Sequence, residues 1–219
     1  MRILVMISTV AVLAAGASSG AAAPNSPSKT IAPLKIVAFG DSLTSGHRLP
    51  RRDAYPAQLE AGLQADGVIA TVVNHGVSGE TSAGGVRRLD AALAEQPDIL
   101  IVAFGANDGL RGVPVPQMRA NLERIIGAAQ ARGISVLLCG MEALPIYGWQ
   151  YTIDFHGVFP ALAEKYHVPL VPFMLNGVLG NADLMSNDGV HPNAAGARVI
   201  AANIRPYVER MAQSVSATK

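Results

Sequence analysis

The order of strand-like and helix-like segments in this chain predicts an α/β fold, with a parallel sheet covered by helices on both faces. Three observations carry that expectation. Ile99–Phe104 is continuously apolar over the length of a strand, as strands buried on both faces are, and Leu34–Ala38 and Ile134–Cys139 are strand-length segments apolar but for one residue each. Between them, apolar residues recur at three and four, the period of an amphipathic helix. Clusters of glycine and polar residues directly follow three of the strands, and in a doubly wound sheet such loops share the carboxyl edge where ligands bind.

The first 33 residues stand apart from this pattern. Met1-Arg2 brings a positive charge, Ile3–Ala15 is apolar, and Ala21-Ala22-Ala23 are small, so residues 1–23 read as a secretory signal peptide. The apolar run is too short for a permanent membrane helix. Pro24 disfavours cleavage directly after Ala23, and no cysteine nearby offers a lipoprotein anchor. Residues 24–33, rich in Pro, Ser and Thr, read as a disordered leader. Export to a bacterial periplasm or beyond is expected.

The strand Leu34–Ala38 leads into Phe39-Gly40-Asp41-Ser42-Leu43, a place where a serine could serve as a nucleophile. After a connection from Ser45 to Asp53, Leu59 and Leu63 mark a helix over Tyr55–Ala65, closed by Asp66-Gly67. Ala70–Asn74 is β-branched and reads as a second strand, followed by the glycine-containing loop His75–Thr81. Ser82 fits an N-cap for a helix reaching Gln96, and Pro97-Asp98 breaks it before Ile99–Phe104. Gly105–Gly109, a third cluster of glycine and polar residues, comes immediately after that segment. Pro116 opens and Gly133 stops a helix with Met118, Leu122, Ile125, Ile126 and Ala129 on one face. Strand Ile134–Cys139 leads to an irregular segment, Gly140–Asp154, a helix from about Phe155 to Tyr166, and a short strand at Pro169–Pro172. Asn187–Asn193 precedes a last helix carrying Ala197, Ile200, Ala201 and Ile204. One domain therefore covers residues 34–211, with a tail at 212–219.

With 219 residues, half of them hydrophobic, the chain can bury a full core. Its net charge of +1 recommends neither nucleic acid nor an anionic membrane surface as a partner. No Cys/His cluster has zinc spacing, and Cys139, inside an apolar run, reads as a buried structural thiol.

Asp188 and His191 lie three apart in a turn, where a carboxylate can hold the imidazole Nδ1–H and leave Nε2 free as a base; alone, this spacing also suits capping or a metal. Asn107, beside a glycine at a strand end, and the N–H of Gly79 are of the kinds that receive an oxyanion, though an Asn there also suits a turn.

Taken in order, Gly40-Asp41-Ser42-Leu43, Gly79, Gly105-x-Asn107-Asp108 and Asp188-x-x-His191 resemble the GDSL or SGNH hydrolase family, in particular its acyl-CoA thioesterase I, lysophospholipase and arylesterase branch. The resemblance implies a flavodoxin-like three-layer α/β/α sandwich with a five-stranded parallel sheet. It implies Ser42 as nucleophile, His191 as base, Asp188 as its partner, and an oxyanion hole of Ser42 N–H, Gly79 N–H and the Asn107 side chain. No metal or cofactor is implied. The substrate would be a small acyl ester or thioester, with no stable membrane insertion and a monomeric enzyme. Glu80 stands where many relatives carry aspartate.

Other residues suggest plainer roles. Asp41 and Asp108 brace their turns, and Arg111 stabilises a loop. His47, His75, His156 and His167 lack a carboxylate at informative spacing. Tyr147, Trp149 and Tyr151 are candidates for a substrate-binding wall, and Met174, Leu175, Val178, Leu179 and Leu184 for an acyl channel. Two rival readings are a carbohydrate O-acetyl esterase and a non-catalytic lipid- or glycan-binding module.

Overall fold

A computed structural model of the chain describes residues 33–218. The signal segment expected at 1–23 and, but for Pro33, the leader expected at 24–33 lie outside them. The sheet begins with β1 (Leu34–Gly40), whose backbone leads into the short helix α1 (Ser42–Ser45) and then α2 (Tyr55–Ala65). Next come β2 (Ala70–Gly76), α3 (Ser82–Ala94), β3 (Ile99–Ala103), the short α4 (Ala106–Leu110) and α5 (Val115–Gln130). β4 (Ser135–Cys139), α6 (Trp149–Tyr166), β5 (Leu170–Val171) and α7 (Ala194–Thr218) complete the order.

All pairings are parallel, and the strand order is β2-β1-β3-β4-β5. This is the flavodoxin-like arrangement, in which the order reverses between β1 and β3 and a crevice opens there at the carboxyl edge. The crossovers of such a sheet, right-handed as a rule, carry helices to both of its faces. α2 packs with α7, while α3, α5 and α6 pack in series. The central strands explain the continuous apolar runs: every residue of β3 is buried, as are Ile36 to Phe39 of β1. Phe39 and Phe104 meet edge to face at 5.0 Å on this core. Cys139 is buried there too, and burial pushes its thiol up to about 12, so it is inert.

The structure corrects four local expectations. Ser82 is the first residue of α3 and not its cap, which is Thr81; its side chain turns inward to donate to Asp108 Oδ1 at 2.6 Å. α3 stops at Ala94 and not Gln96, which has a left-handed φ of 51°. α6 begins at Trp149, six residues before Phe155, because Gly148 at φ 94° turns the chain directly into the helix. α7 runs on through the segment read as a tail, with Ala212 buried and Val215 packed against the core.

Candidate active site

Ser42 sits at the start of α1, two residues beyond the end of β1. The turn that presents it is tight: a Cβ on Gly40 would collide with Thr44 Oγ1 and lie 2.6 Å from the Ala103 carbonyl oxygen. Asp41 caps α1, its Oδ1 accepting from Leu43 N at 3.0 Å. The serine is 8% exposed, enough for its Oγ to face the cleft while its backbone stays within the fold.

The opposite wall of the crevice is the loop before α7. Asp188 Oδ1 accepts from His191 N at 2.9 Å and Val190 N at 3.0 Å, and Oδ2 lies 2.8 Å from His191 Nδ1. These donors, the His191 backbone first, hold the Asp188 carboxyl well below the usual carboxylate range. His191 Nε2 then reaches Ser42 Oγ at 3.1 Å, across 149 residues of sequence. The loop is fastened on both sides, since Ser186 N donates to His191 O at 2.7 Å and Asn193 Oδ1 caps α7 through Ala195 N and Gly196 N. A hydroxyl, an imidazole and a carboxylate in this order are the parts needed to make a serine nucleophilic.

Gly79 and Asn107 flank the same point. Gly79 takes φ 81°, a conformation that a side chain would strain, and its carbonyl accepts from Arg111 Nη2 at 2.7 Å. That bond is the loop-bracing role expected of Arg111. Asn107 Nδ2 donates to Asp41 Oδ2 at 3.2 Å. An amide nitrogen carries two hydrogens, so one is held by Asp41 and the other is left for the cleft that Asn107 lines. Asp41 is wholly buried, and burial pushes its pKa up to about 6 against the pull of Leu43 N and Asn107. Asp108 is buried as well. Its carboxylate bonds Ser82 N at 2.8 Å and Ser82 Oγ, tying α4 to the start of α3.

Beside these groups opens a cleft of about 430 Å³, walled by Leu110, Met141, Leu144, Ile146, Phe173 and Leu175. The aromatic residues expected as its wall are not among those lining it. Tyr147 OH donates to Leu110 O, Tyr151 OH donates to Val113 O, and the two rings meet at 5.5 Å, so both pin the loop after α4 from outside. Trp149 projects into solvent. Their neighbours Leu144 and Ile146 supply the wall instead. Of the residues expected as a channel, Leu175 and Leu179 line the cleft; Met174 and Val178 belong to the core, and Leu184 packs against it.

Three contributors escaped the sequence reading. His47 lines the cleft with its ring 4.2 Å from that of His191 and Nδ1 3.4 Å from Ser78 Oγ. Arg88 donates to Gly40 O at 2.6 Å and His75 O at 2.7 Å, pairs with Glu80, and lies 4.5 Å over the Phe39 ring, so it ties together the carboxyl ends of β1 and β2. His156 does have a carboxylate partner, Glu142, at 2.6 Å. No spacing signals these pairs; helical period places Arg88 on α3 without saying what it faces. Of the other histidines, His75 lies 3.6 Å from Glu95 and His167 ends α6 in a left-handed turn.

His47, Asp188 and His191 bring ligand atoms within 4.8 Å of one another, a set with the donors of a metal site. The two rings are stacked, however, tilted by only 31°. Both ring nitrogens of His191 are moreover engaged, Nδ1 with Asp188 and Nε2 with Ser42, so neither is held ready for an ion.

An α/β fold that joins Ser, His and Asp at the switch point of its sheet defines the class, a hydrolase of the serine type. Residues 38–199 match the GDSL-like lipase/acylhydrolase family, and the chain belongs to that family of ester-hydrolysing enzymes. It is 38% identical to esterase TesA of Pseudomonas aeruginosa, over 80% of this chain and 87% of that one. It is 36% identical to an arylesterase of Vibrio mimicus (72% and 80% covered) and 36% identical to thioesterase 1/protease 1/lysophospholipase L1 of Escherichia coli K12 (72% and 75%). Among solved structures, the psychrotrophic esterase EstA of a Pseudoalteromonas, inhibited by monoethylphosphonate, superposes with a TM-score of 0.76 at 32% identity, covering 80% of this chain and 97% of that one. Among the described residues, no helix is long and apolar enough to cross a membrane.

Proposed function

We propose that this chain is an exported serine esterase that cleaves carboxylic esters and thioesters of apolar acyl groups through an acyl-serine intermediate. The observation that carries the reading is the unbroken line from Asp188 through His191 to Ser42 Oγ at the mouth of an apolar cleft. Ser42 Oγ attacks the acyl carbon as His191 Nε2 takes its proton, and Asp188 stabilises the imidazolium. The charge that develops on the carbonyl oxygen is received by Ser42 N–H, Gly79 N–H and Asn107 Nδ2. The imidazolium then protonates the departing alkoxide or thiolate. Water, deprotonated by His191, attacks the acyl-serine and releases the carboxylic acid, and Ser42 recovers its proton.

Support for the substrate class comes from the wall. Leucine, isoleucine and phenylalanine suit an acyl chain, whereas a carbohydrate ester would call for a ring of hydrogen-bonding side chains. All five groups come from one chain, which supports a monomeric enzyme whose domain runs to the end of α7. Export, to the periplasm or the medium, rests on the signal-like residues 1–23. The test is hydrolysis of short- and medium-chain p-nitrophenyl esters by the wild type and by Ser42→Ala. Equal rates from the two proteins would sink the proposal.

A further inference from the structure

Ten large apolar side chains are exposed among the described residues, and their distribution is one-sided. Five of them, Leu110, Leu144, Ile146, Leu179 and Val190, line the cleft and stand out at its mouth. Trp149 and Ile153, 73% and 61% exposed, continue the strip along α6. Positions 149, 153 and 156 are spaced i, i+4, i+7 and so share one helix face. That face is fixed beside the cleft wall, because His156 Nδ1 lies 2.6 Å from Glu142, which lines the cleft. Between Met141 and His156 the strip carries Glu142 and Asp154 and no lysine or arginine, so it has no cationic side chain to draw it to an anionic surface. Contiguous exposed apolar surface on a soluble domain marks a docking face, and an indole at its margin suits a boundary between water and lipid.

We infer that this rim docks on the surface of a phospholipid aggregate, with Trp149 and Ile153 entering the acyl boundary and the cleft opening toward the lipid. The choice of occupant follows from position and charge. A protein, or a second copy of this chain, seated on the rim would close the mouth of the cleft. A lipid surface would instead present acyl esters to it, and a strip without lysine or arginine between residues 141 and 156 favours a zwitterionic surface over an anionic one. This inference rests on the acyl-ester reading of the cleft.

The chain contains a single tryptophan, so its emission reports on the rim alone. Ser42→Ala protein without residues 1–23, the exported form, leaves the lipid intact and is titrated with phosphatidylcholine vesicles. The expected result is a saturable shift of emission to shorter wavelength that persists in high salt. Ile153→Asp should weaken vesicle affinity about 10-fold or more, from the apolar burial it forfeits. In the otherwise wild-type enzyme it should leave hydrolysis of water-soluble p-nitrophenyl acetate unchanged, since residue 153 lies outside the cleft lining. Three outcomes would overturn the inference. One is no shift with phosphatidylcholine. Another is a shift only with anionic vesicles that salt abolishes, which would point to the exposed Arg48, Arg51 and Arg52. The third is a shift without lipid that follows dimer formation in sedimentation. Failure of the esterase reading would look different, as absence of hydrolysis of the soluble ester itself.

Discussion

Asp41 offers a perturbation whose effects on stability and on rate should have opposite signs. Its carboxylate is buried, accepts from Leu43 N and Asn107 Nδ2, and titrates at about 6 where an exposed aspartate titrates near 3.8. A folded pKa raised above the unfolded one contributes stability that is fully present below pH 3.8 and lost as pH rises through 6. The gap corresponds to about 3 kcal/mol of destabilisation at neutral pH, at about 1.4 kcal/mol per unit. Asp41→Asn removes the charge but keeps the shape. It should therefore be more stable than the wild type by about 1 to 3 kcal/mol above pH 7, with the difference vanishing near pH 4. The rate should move the other way. An asparagine has one acceptor oxygen where the carboxylate had two, so either Leu43 N or Asn107 Nδ2 loses its partner. If Asn107 turns away, one oxyanion donor is misplaced, and kcat should fall by about 10- to 100-fold with little change in KM, a fraction of the full loss of such a donor. Denaturant melts at pH 4 and pH 8, with steady-state kinetics on p-nitrophenyl butyrate, read both quantities. A variant with wild-type kcat, or one less stable than the wild type at pH 8, would refute the reasoning.

Other expected outcomes are simpler. Asn107→Ala should lower kcat by about 100- to 1000-fold, and in that background Asp41→Asn should add little further loss, because both act on one donor. Asp188→Asn should keep the fold but lower kcat by about 10⁴-fold, the amide leaving His191 in the wrong tautomer; near-normal turnover would remove Asp188 from the proposed role. Ile146→Ser, at the cleft wall, should reduce kcat/KM for octanoyl esters about 10-fold or more relative to acetyl esters; an unchanged acyl-length profile would place the acyl chain elsewhere.

The parts of this enzyme that a reader can find in the sequence are those with short-range signatures. Strand β3 is visible because burial on both faces produces an unbroken apolar run, and β1 and β4 because their runs are broken by one polar residue each, Lys35 and Ser135. The residues around Ser42, Gly79, Asn107 and His191 are visible because each cluster occupies a turn of distinctive composition, and four such clusters in fixed order resemble one family. What stayed hidden depends on contacts distant in sequence. Asp108 takes the hydroxyl of Ser82 across 26 residues, so a good capping residue was drawn inward and Thr81 became the cap. The start of α6 was obscured because Trp149 to Ile153 is as compatible with a loop wall as with a helix, and the deciding feature is the left-handed turn at Gly148. Aromatic rings were expected at the cleft for their size. Their hydroxyls found carbonyls at Leu110 and Val113, which turned the tyrosines away and left the wall to aliphatic neighbours. His47 carried no signal at all, since stacking on His191 requires only that α1 end where it does.

The most direct test of the central claim is covalent. Treatment with a fluorophosphonate followed by peptide mapping should place a single adduct on Ser42, formed far more slowly in His191→Ala, where no base takes the proton. An active esterase that takes up the reagent at another residue, or labels equally fast without His191, would contradict the account.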